Sequence, residues 1–403
     1  MYTIIIIIMS SLLEVMMTDG FNYGGDIAEH DVHFKQWPTT GNMTALVDAD
    51  LLPYQIGYAI AAHYSLSYTQ AVFSVEQGYY DSLRDTPQYA EAWEMLCKEL
   101  NAWVTAAGCD SALLFITNSA KNFRLDIAFT EDYKGQRNPE KPPFFHQLKA
   151  DLIDKLNAII SDGEEADDLI SIAVWDAARA LDVVPGSPEH RAFCNTVVCS
   201  SDKDSCITGG WHYDPRKQVK RFIDTLGGLE PKTKINEVND YANWPLVKGE
   251  PVSPEHPGPY DMWTRGAKAG TVKTKRVLLG RKESVSITDL KGTGLKFFYA
   301  QLIIGDDADN YKGIPGKGPT YAFDLLDKCT SHKELYETVL SAYKAHYGAG
   351  LHTAVNFRGG STQLTAYQRM LEQGRLAWMQ TYKGELWRGK SHCPSGEDSV
   401  WTE

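Results

Sequence analysis

The seven cysteines of this 403-residue chain include no CxxC pair, and seven is an odd number. Both facts argue against a zinc ribbon and against a disulfide framework, and a reducing cytoplasm is the simpler setting. No apolar run is long enough to cross a bilayer. The opening MYTIIIIIMSSLLEV comes nearest, but its apolar stretch is short and no Lys or Arg precedes it, unlike a signal peptide. A buried strand, or leading residues of little consequence, is expected there in preference to a membrane anchor. Basic residues are in deficit: 40 Lys and Arg against 52 Asp and Glu leave a net charge of −12. That balance argues at first against a nucleic-acid partner. Acids gathered around metal ions reverse the local sign, however, so the overall charge does not decide the matter. Internal repeats and low-complexity tracts are also missing.

The 43% of hydrophobic residues supports one large domain or two ordinary ones. Residues 1–43 show no periodicity and read as an extension. From 44 to 206 strand and helix patterns alternate. TALVDADLL (44–52) is an apolar run ending in acids, and SALLFIT (111–117) and NTVVCSS (195–201) are further strands. PQYAEAWEMLCKELNAWVTAAG (87–108) has helical spacing, with Trp93, Leu96, Leu100, Trp103 and Val104 on one face. Pro87 opens this helix and Gly108 closes it. FFHQLKADLIDKLNAII and EADDLISIAVWDAARALD are also helical. This order predicts an α/β fold with a mainly parallel central sheet flanked by helices. Its ligand site is expected beyond the carboxyl ends of the strands. Residues 207–290, rich in Gly, Pro and charge, read as an insertion or irregular subdomain. Residues 291–403 read as helical, through GLKFFYAQLII, PTYAFDLL, KELYETVLSAYKAHY and TAYQRMLEQGRLAWMQTY.

The acids fall where the fold expects a site. Asp48 and Asp50 end the first strand, and Asp202 and Asp204 follow the third. In SDKD, alternation on a strand end lets both acids face one side, with Lys203 opposite. Glu165, Asp167 and Asp168 open a helix, where acids favour the dipole. Asp306 and Asp309 follow GLKFFYAQLIIG, where they meet its negative end; if the turn continues, their spacing puts them on one helical face. A bound cation would relieve that arrangement. Singly, each acid has an ordinary explanation as a cap or turn. Phosphodiester hydrolysis, though, needs an activated water and a stabilised leaving oxygen, and two Mg²⁺ ions roughly 4 Å apart supply both. Mg²⁺ takes carboxylate oxygens, so such a site gathers many acids.

Basic and glycine-rich pieces accompany them. KNFRLDIAFTEDYKGQRNPEKPP (121–143) mixes Lys121, Arg124, Lys134, Arg137 and Lys141 with Phe123, Phe129 and Tyr133. It is either a solvated loop or a surface that pairs with phosphates and stacks on unpaired bases. GIPGKGPT (313–320) sets Gly313, Gly316, Lys317 and Gly318 between two helices. Glycines let backbone approach a phosphate, although many helix–helix turns share this composition. RGAKAGTVKTKRVLLGRK (265–282) carries Arg265, Lys268, Lys273, Lys275, Arg276, Arg281 and Lys282 with no acid. It reads as a solvated loop or as a basic arm along duplex phosphates.

Read together, VDAD, YKGQR, EEADD, SSDKD and IIGDDADNYKGIPGKGPT resemble the flap-endonuclease superfamily of 5′-nucleases, and most of all the bacteriophage 5′–3′ exonucleases. ITNSAKNFRLDI and YQRMLEQGRLAWMQTYKGELW extend the resemblance over most of 44–390. It implies a PIN-like nuclease core with a C-terminal helix-hairpin-helix-type DNA-binding region. By resemblance, Asp48, Glu165 and Asp167 hold one Mg²⁺. Asp168, Asp202, Asp204 and Asp309 serve a second, with Asp306 in support and Mn²⁺ as the alternative ion. Lys134 and Arg137 match basic residues over the scissile phosphate, and Arg124 and Tyr133 are expected DNA contacts beside them. The 313–320 hairpin matches an element that grips duplex backbone, often with a monovalent cation such as K⁺. The implied activity is 5′–3′ exonucleolytic or flap cleavage of DNA, in phage DNA replication or degradation, within the host cytoplasm. The implied partner is duplex DNA with a 5′ end or flap, or an RNA–DNA hybrid. An RNA-primer nuclease and a DNA-binding protein with weak or no cleavage are the alternatives. Two departures stand out: Asn118 replaces an aspartate many relatives carry after the second strand, and 207–290 is longer than in compact members.

Overall fold

The computed structural model describes residues 43–64, 83–118, 121–137 and 140–389. The expected extension 1–43 lies outside the described residues except for Met43. The chain divides into two compact units, one of residues 1–230 with 291–403 and the other Pro231–Leu290.

The larger unit is built on a six-stranded sheet. Its central strand β1 (Thr44–Asp48) pairs in parallel with β2 (Ser111–Ile116) on one side, and β2 with β3 (Ile159–Ile160). On the other side it pairs in parallel with β4 (Thr196–Cys199), and β4 with β5 (Gly210–Asp214). The edge strand β6 (Val219–Ile223) closes an antiparallel hairpin on β5. Alternation along β1 explains the layers. Ala45 and Val47 face α1 (Leu51–His63), α2 (Pro87–Ala106) and α4 (Phe145–Leu156), in a core with Leu52, Ile60, Leu96, Trp103, Leu148 and Leu152. The short helix α3 (Phe123–Ile127) precedes α4. Leu46 points the other way, with Phe115 and Val198, onto Ile170 and Val174 of α5 (Ala166–Ala180). A strand buried on both faces needs apolar residues at successive positions, which Ala45, Leu46 and Val47 supply. The short α6 (Pro188–Phe193) leads into β4.

After residue 291 come α7 (Gly294–Ile304), α8 (Pro319–Leu326) and α9 (His332–Tyr347). They are followed by an unforeseen antiparallel hairpin, β10 (His352–Val355) with β11 (Ser361–Leu364), and by α10 (Ala366–Ala377). α7 is apolar nearly all round and lies buried. Among the described residues, no helix is long and apolar enough to cross a membrane.

Three local expectations are corrected. The segment 207–290 is not a single insertion, because β5 and β6 extend the main sheet and the separate unit begins only at Pro231. Nor is it irregular: β7 (Leu229–Val247), β8 (Glu250–Pro251) and β9 (Thr274–Gly292) form a sheet ordered β8-β7-β9. The pairs Lys232–Thr288, Asn236–Ser286 and Asp240–Lys282 run in opposite chain senses along β7 and β9, as in an antiparallel ribbon. Second, Asp306 and Asp309 share no helical face. α7 stops at Gly305, whose φ of +81° and contact with the Tyr311 carbonyl exclude a side chain; a Cβ there would lie 2.4 Å from that oxygen. Third, Asp202 and Asp204 do not alternate on a strand, since β4 ends at Cys199 and Asp204 opens a 3₁₀ turn.

Candidate metal centre

Acids from four segments meet at the carboxyl ends of β1 and β4. The Ser200 hydroxyl donates to buried Asp48 at 3.0 Å and accepts the Asp202 N–H at 3.0 Å. Asp202 accepts the Asp204 N–H at 2.9 Å, and the Asp204 carboxylate accepts from Gln301 of α7. Beyond α7 the chain doubles back through paired backbone bonds between Asp306 and Tyr311, of 2.7 and 3.0 Å. Asp306 is thereby brought against Lys203, ion-paired at 2.5 Å. Lys203 is therefore part of the cluster and not opposite it.

The N-terminus of α5 supplies the other flank. Glu165 is its N-cap and forms a capping box with Asp168. Arg124 is fully buried, and its guanidinium bonds Asp168, at 2.8 Å from Nη2, and Glu165, at 3.3 Å. Tyr133 Oη lies 2.9 Å from Glu165 and 2.8 Å from Asp309, bridging the two flanks. Lys134 pairs with Glu165 and stands 3.8 Å from Asp309, while Arg137 bonds Asp309 at 2.6 Å. The loop that delivers them is held in a demanding shape. Lys134 sits at φ +56°, a left-handed conformation costly for a side-chain-bearing residue. Its N–H bonds the Asp309 carbonyl at 3.0 Å, and Asn310 bonds the Asp132 carbonyl at 2.9 Å. Gly135 follows, where a Cβ would lie 2.3 Å from the Asp132 carboxylate.

The charges are unevenly compensated. Burial, then Asp50 and Asp202, push Asp48 up to about 7. Burial, then Asp202 and, more weakly, Asp306 and Asp309, raise Asp204 to about 8 against the pull of Lys203. Asp167 is lifted well above the usual carboxylate range by burial and by Glu165 and Asp168. Burial also opposes the charge on Glu165, but Lys134 and Arg124 outweigh it and hold this carboxyl near 2. Among the described residues, no three His, Cys, Asp or Glu side chains converge tightly enough to close around a metal ion. The donor set still suits a hard divalent cation, because its donors are carboxylate oxygens and Asp48, Asp167 and Asp204 carry repulsion that such a cation removes.

Several expected roles change. Arg124 and Tyr133 are 0% and 3% exposed and bonded inward, so neither presents a surface to DNA. Asp168 is also fully buried; Arg124 and the N–H groups of Glu165 and Gln380 (3.1 and 3.2 Å) occupy its oxygens, making it the counter-ion of Arg124 and not an open ligand. Asp50 accepts the Thr117 N–H at 2.9 Å and pairs with Lys149 at 3.3 Å. The Asn118 N–H donates to Ser161 at 2.8 Å. In the hairpin, a Cβ on Gly313 would strike the Ile303 carbonyl at 2.4 Å, so that glycine serves packing, whereas Gly316 and Gly318 face open space. Lys317 lies over the Tyr321 ring at 4.2 Å. In the second unit, Arg276 lies 3.8 Å over Tyr241, Lys273 5.2 Å over Trp263, and Lys275 is exposed. The sequence does not mark Ser200, Gln301 or Lys203 as site residues. Of these, only Ser200 and Lys203, inside SSDKD, carry a local signal.

No family model and no curated protein matches the chain. Among solved structures it is similar to a crystal structure of the bacteriophage T5 D15 protein co-crystallised with metal ions. Identity is 10%, with 83% of this chain and 89% of that chain covered and a TM-score of 0.42. It is also similar to a bacteriophage T5 D15 flap endonuclease variant in a pseudo-enzyme–product complex with DNA and metal ions. Identity there is 10%, with 83% and 91% covered and a TM-score of 0.38.

Proposed function

We propose that the chain is a metal-dependent nuclease of the 5′-nuclease type that hydrolyses DNA phosphodiester bonds from a 5′ end or at a flap. The observation that carries this reading is one hydrogen-bonded run of Asp48, Ser200, Asp202 and Asp204 on one flank, and Glu165 and Asp309, bridged by Tyr133 and paired with Lys134 and Arg137, on the other. Asp48, Glu165 and Asp167 would hold one ion, and Asp202, Asp204 and Asp309, supported by Asp306, a second. Two Mg²⁺ or Mn²⁺ ions would supply an activated water and a stabilised leaving oxygen. Lys134 and Arg137 would neutralise the scissile phosphate, since their charged heads are held in place by Glu165 and Asp309 while the side chains remain partly exposed. The backbone at Gly316 and Gly318, where a Cβ would face open space, would grip duplex phosphates with Lys317, with K⁺ as the accompanying ion. Lys273, Lys275 and Arg276 would add phosphate contacts. A role in phage DNA replication or degradation completes the reading.

The test uses 5′-labelled and 3′-labelled duplexes, each with and without a flap. Mg²⁺-dependent release of nucleotides from the 5′ end is expected. Asp202→Asn should abolish it while binding persists, and Ca²⁺ should support binding better than turnover. Cleavage by Asp202→Asn would sink the metal assignment. Tight binding with no wild-type cleavage would favour a non-cleaving DNA-binding protein, and cleavage confined to an RNA-primed strand would favour a primer nuclease.

A further inference from the structure

α10 and the turn after it reach back to the loop carrying Lys134 and Arg137, to the glycine hairpin and to the acids of α5. Buried Glu372 accepts the N–H groups of Phe129 (3.0 Å) and Thr130 (2.7 Å) and the Thr130 hydroxyl (2.7 Å), at the entry to the loop carrying Lys134 and Arg137. Its neighbour Gln373 accepts the Gly313 N–H at 3.1 Å. The carbonyls of Leu376 and Trp378 accept from Arg124 Nε (2.9 Å) and Nη2 (2.8 Å), and the Gln380 N–H donates to Asp168 at 3.2 Å. Apolar packing holds the segment itself in place. Trp378 and Trp387 pack on Phe298 of α7 at 5.0 and 5.4 Å, and a Cβ on Gly374 would lie 2.0 Å from the Trp387 ring.

We propose that residues 372–380 are a positioning strap, in which Glu372 sets the phosphate-clamp loop and Arg124 ties the strap to the acids of α5. The proposal rests on the nuclease reading above. Two physical points favour positioning over simple packing. The aromatic contacts to α7 would anchor the segment without any charged group. Yet its buried Glu372 is spent on the backbone of one functional loop, and its carbonyls and the Gln380 N–H on Arg124 and Asp168 at another. A buried guanidinium is tolerated only when its donors are satisfied. Those of Arg124 are shared between strap carbonyls and Asp168 and Glu165, so the strap and the acids must dock together.

The test takes full-length Glu372→Ala, Glu372→Gln and Arg124→Lys, with circular dichroism and thermal melts to report folding. Glu372→Ala should slow single-turnover cleavage about tenfold to a hundredfold, as loss of a supporting partner does, while duplex affinity in Ca²⁺ changes far less than the rate. Glu372→Gln, which keeps the shape and one acceptor, should recover part of the rate. Lys134→Ala should cost less in the Glu372→Ala background than in wild type, because both act through one loop. Independent, multiplying effects would overturn the role assigned to Glu372. Calorimetric titration with Mg²⁺ reads Arg124→Lys without any cleavage, and weakening by about tenfold or more is expected. Wild-type Mg²⁺ affinity in folded Arg124→Lys would overturn the tie. Absence of wild-type cleavage would instead sink the nuclease reading, and the Mg²⁺ titration would still decide the strap.

Discussion

The raised acids make stability depend on pH and on divalent cations in opposite directions. Asp48 moves from 3.8 to about 7 and Asp204 from 3.8 to about 8, burial being the first cause of each. Between the two values the folded chain holds a proton that the unfolded chain has released, so metal-free stability falls as pH rises. Each group contributes a slope of about 1.4 kcal/mol per pH unit, and Asp48 alone sums to the order of 4 kcal/mol. The window opens near pH 4, closes near pH 7 for Asp48 and extends to about pH 8 for Asp204. Glu165, held near 2, acts oppositely but only in acid, where stability is lost as pH falls through its folded value. A divalent cation binding the ionised acids stabilises the folded state by about 2.7 kcal/mol at a hundredfold excess over its dissociation constant. Thermal melts in EDTA and in saturating Mg²⁺ should therefore diverge from pH 5 to pH 8. A change of 1 kcal/mol moves the midpoint of a 150–250-residue domain by about 2–4 °C, so the gap should reach several degrees. Asp204→Asn isolates the site from the other titrating groups: it should melt higher than wild type in EDTA at pH 8 and show a smaller Mg²⁺ gap. A gap that does not vary with pH, or an Asp204→Asn protein with the wild-type pH profile, would refute the reasoning.

Asp168→Asn removes the main counter-ion of buried Arg124 and leaves only Glu165, at 3.3 Å, so a loss toward the lower end of about 3–5 kcal/mol in denaturant unfolding is expected; an open metal ligand would instead cost activity with little stability. Lys134→Ala keeps the same backbone strain, because alanine also carries a Cβ, so its effect reports the ammonium. Single-turnover cleavage should slow by the equivalent of about 2.7–4 kcal/mol with a much smaller change in binding, and a loss of affinity alone would make Lys134 a binding residue. Changing Lys273, Lys275 and Arg276 together to Ala should weaken duplex binding and flatten its salt dependence, by about 0.9 in log–log slope for each phosphate no longer neutralised. An unchanged slope would return that run to the solvent.

Strand and helix identity in the core were legible because their causes are local, except that Ile159–Ile160, read as the end of a helix, form β3 beyond the left-handed Asn157. TALVD and SALLFI read as buried strands from composition, and Pro87, Gly108 and the spacing of Leu96, Leu100 and Trp103 marked one helix. The alternation of these elements predicted the parallel sheet, and with it the end of the sheet where acids would gather. The edge hairpin β5–β6 was lost in the reading of 207–290 because Gly209, Gly210, Asp214 and Pro215 look like loop residues until a sheet edge is there to pair with them. The direction of each charged side chain was not legible either. Arg124 reads as a phosphate ligand in a basic stretch, yet its partners include the Leu376 and Trp378 carbonyls, about 250 positions away. Asp306 and Asp309 read as a helix end, yet a glycine at positive φ turns them back to meet Lys203, Tyr133 and Arg137. Local sequence settles which residues bury apolar surface, because that preference travels with the residue. Whether a charge is buried or open depends on which opposite charges and carbonyls arrive from elsewhere, and only the tertiary structure decides that.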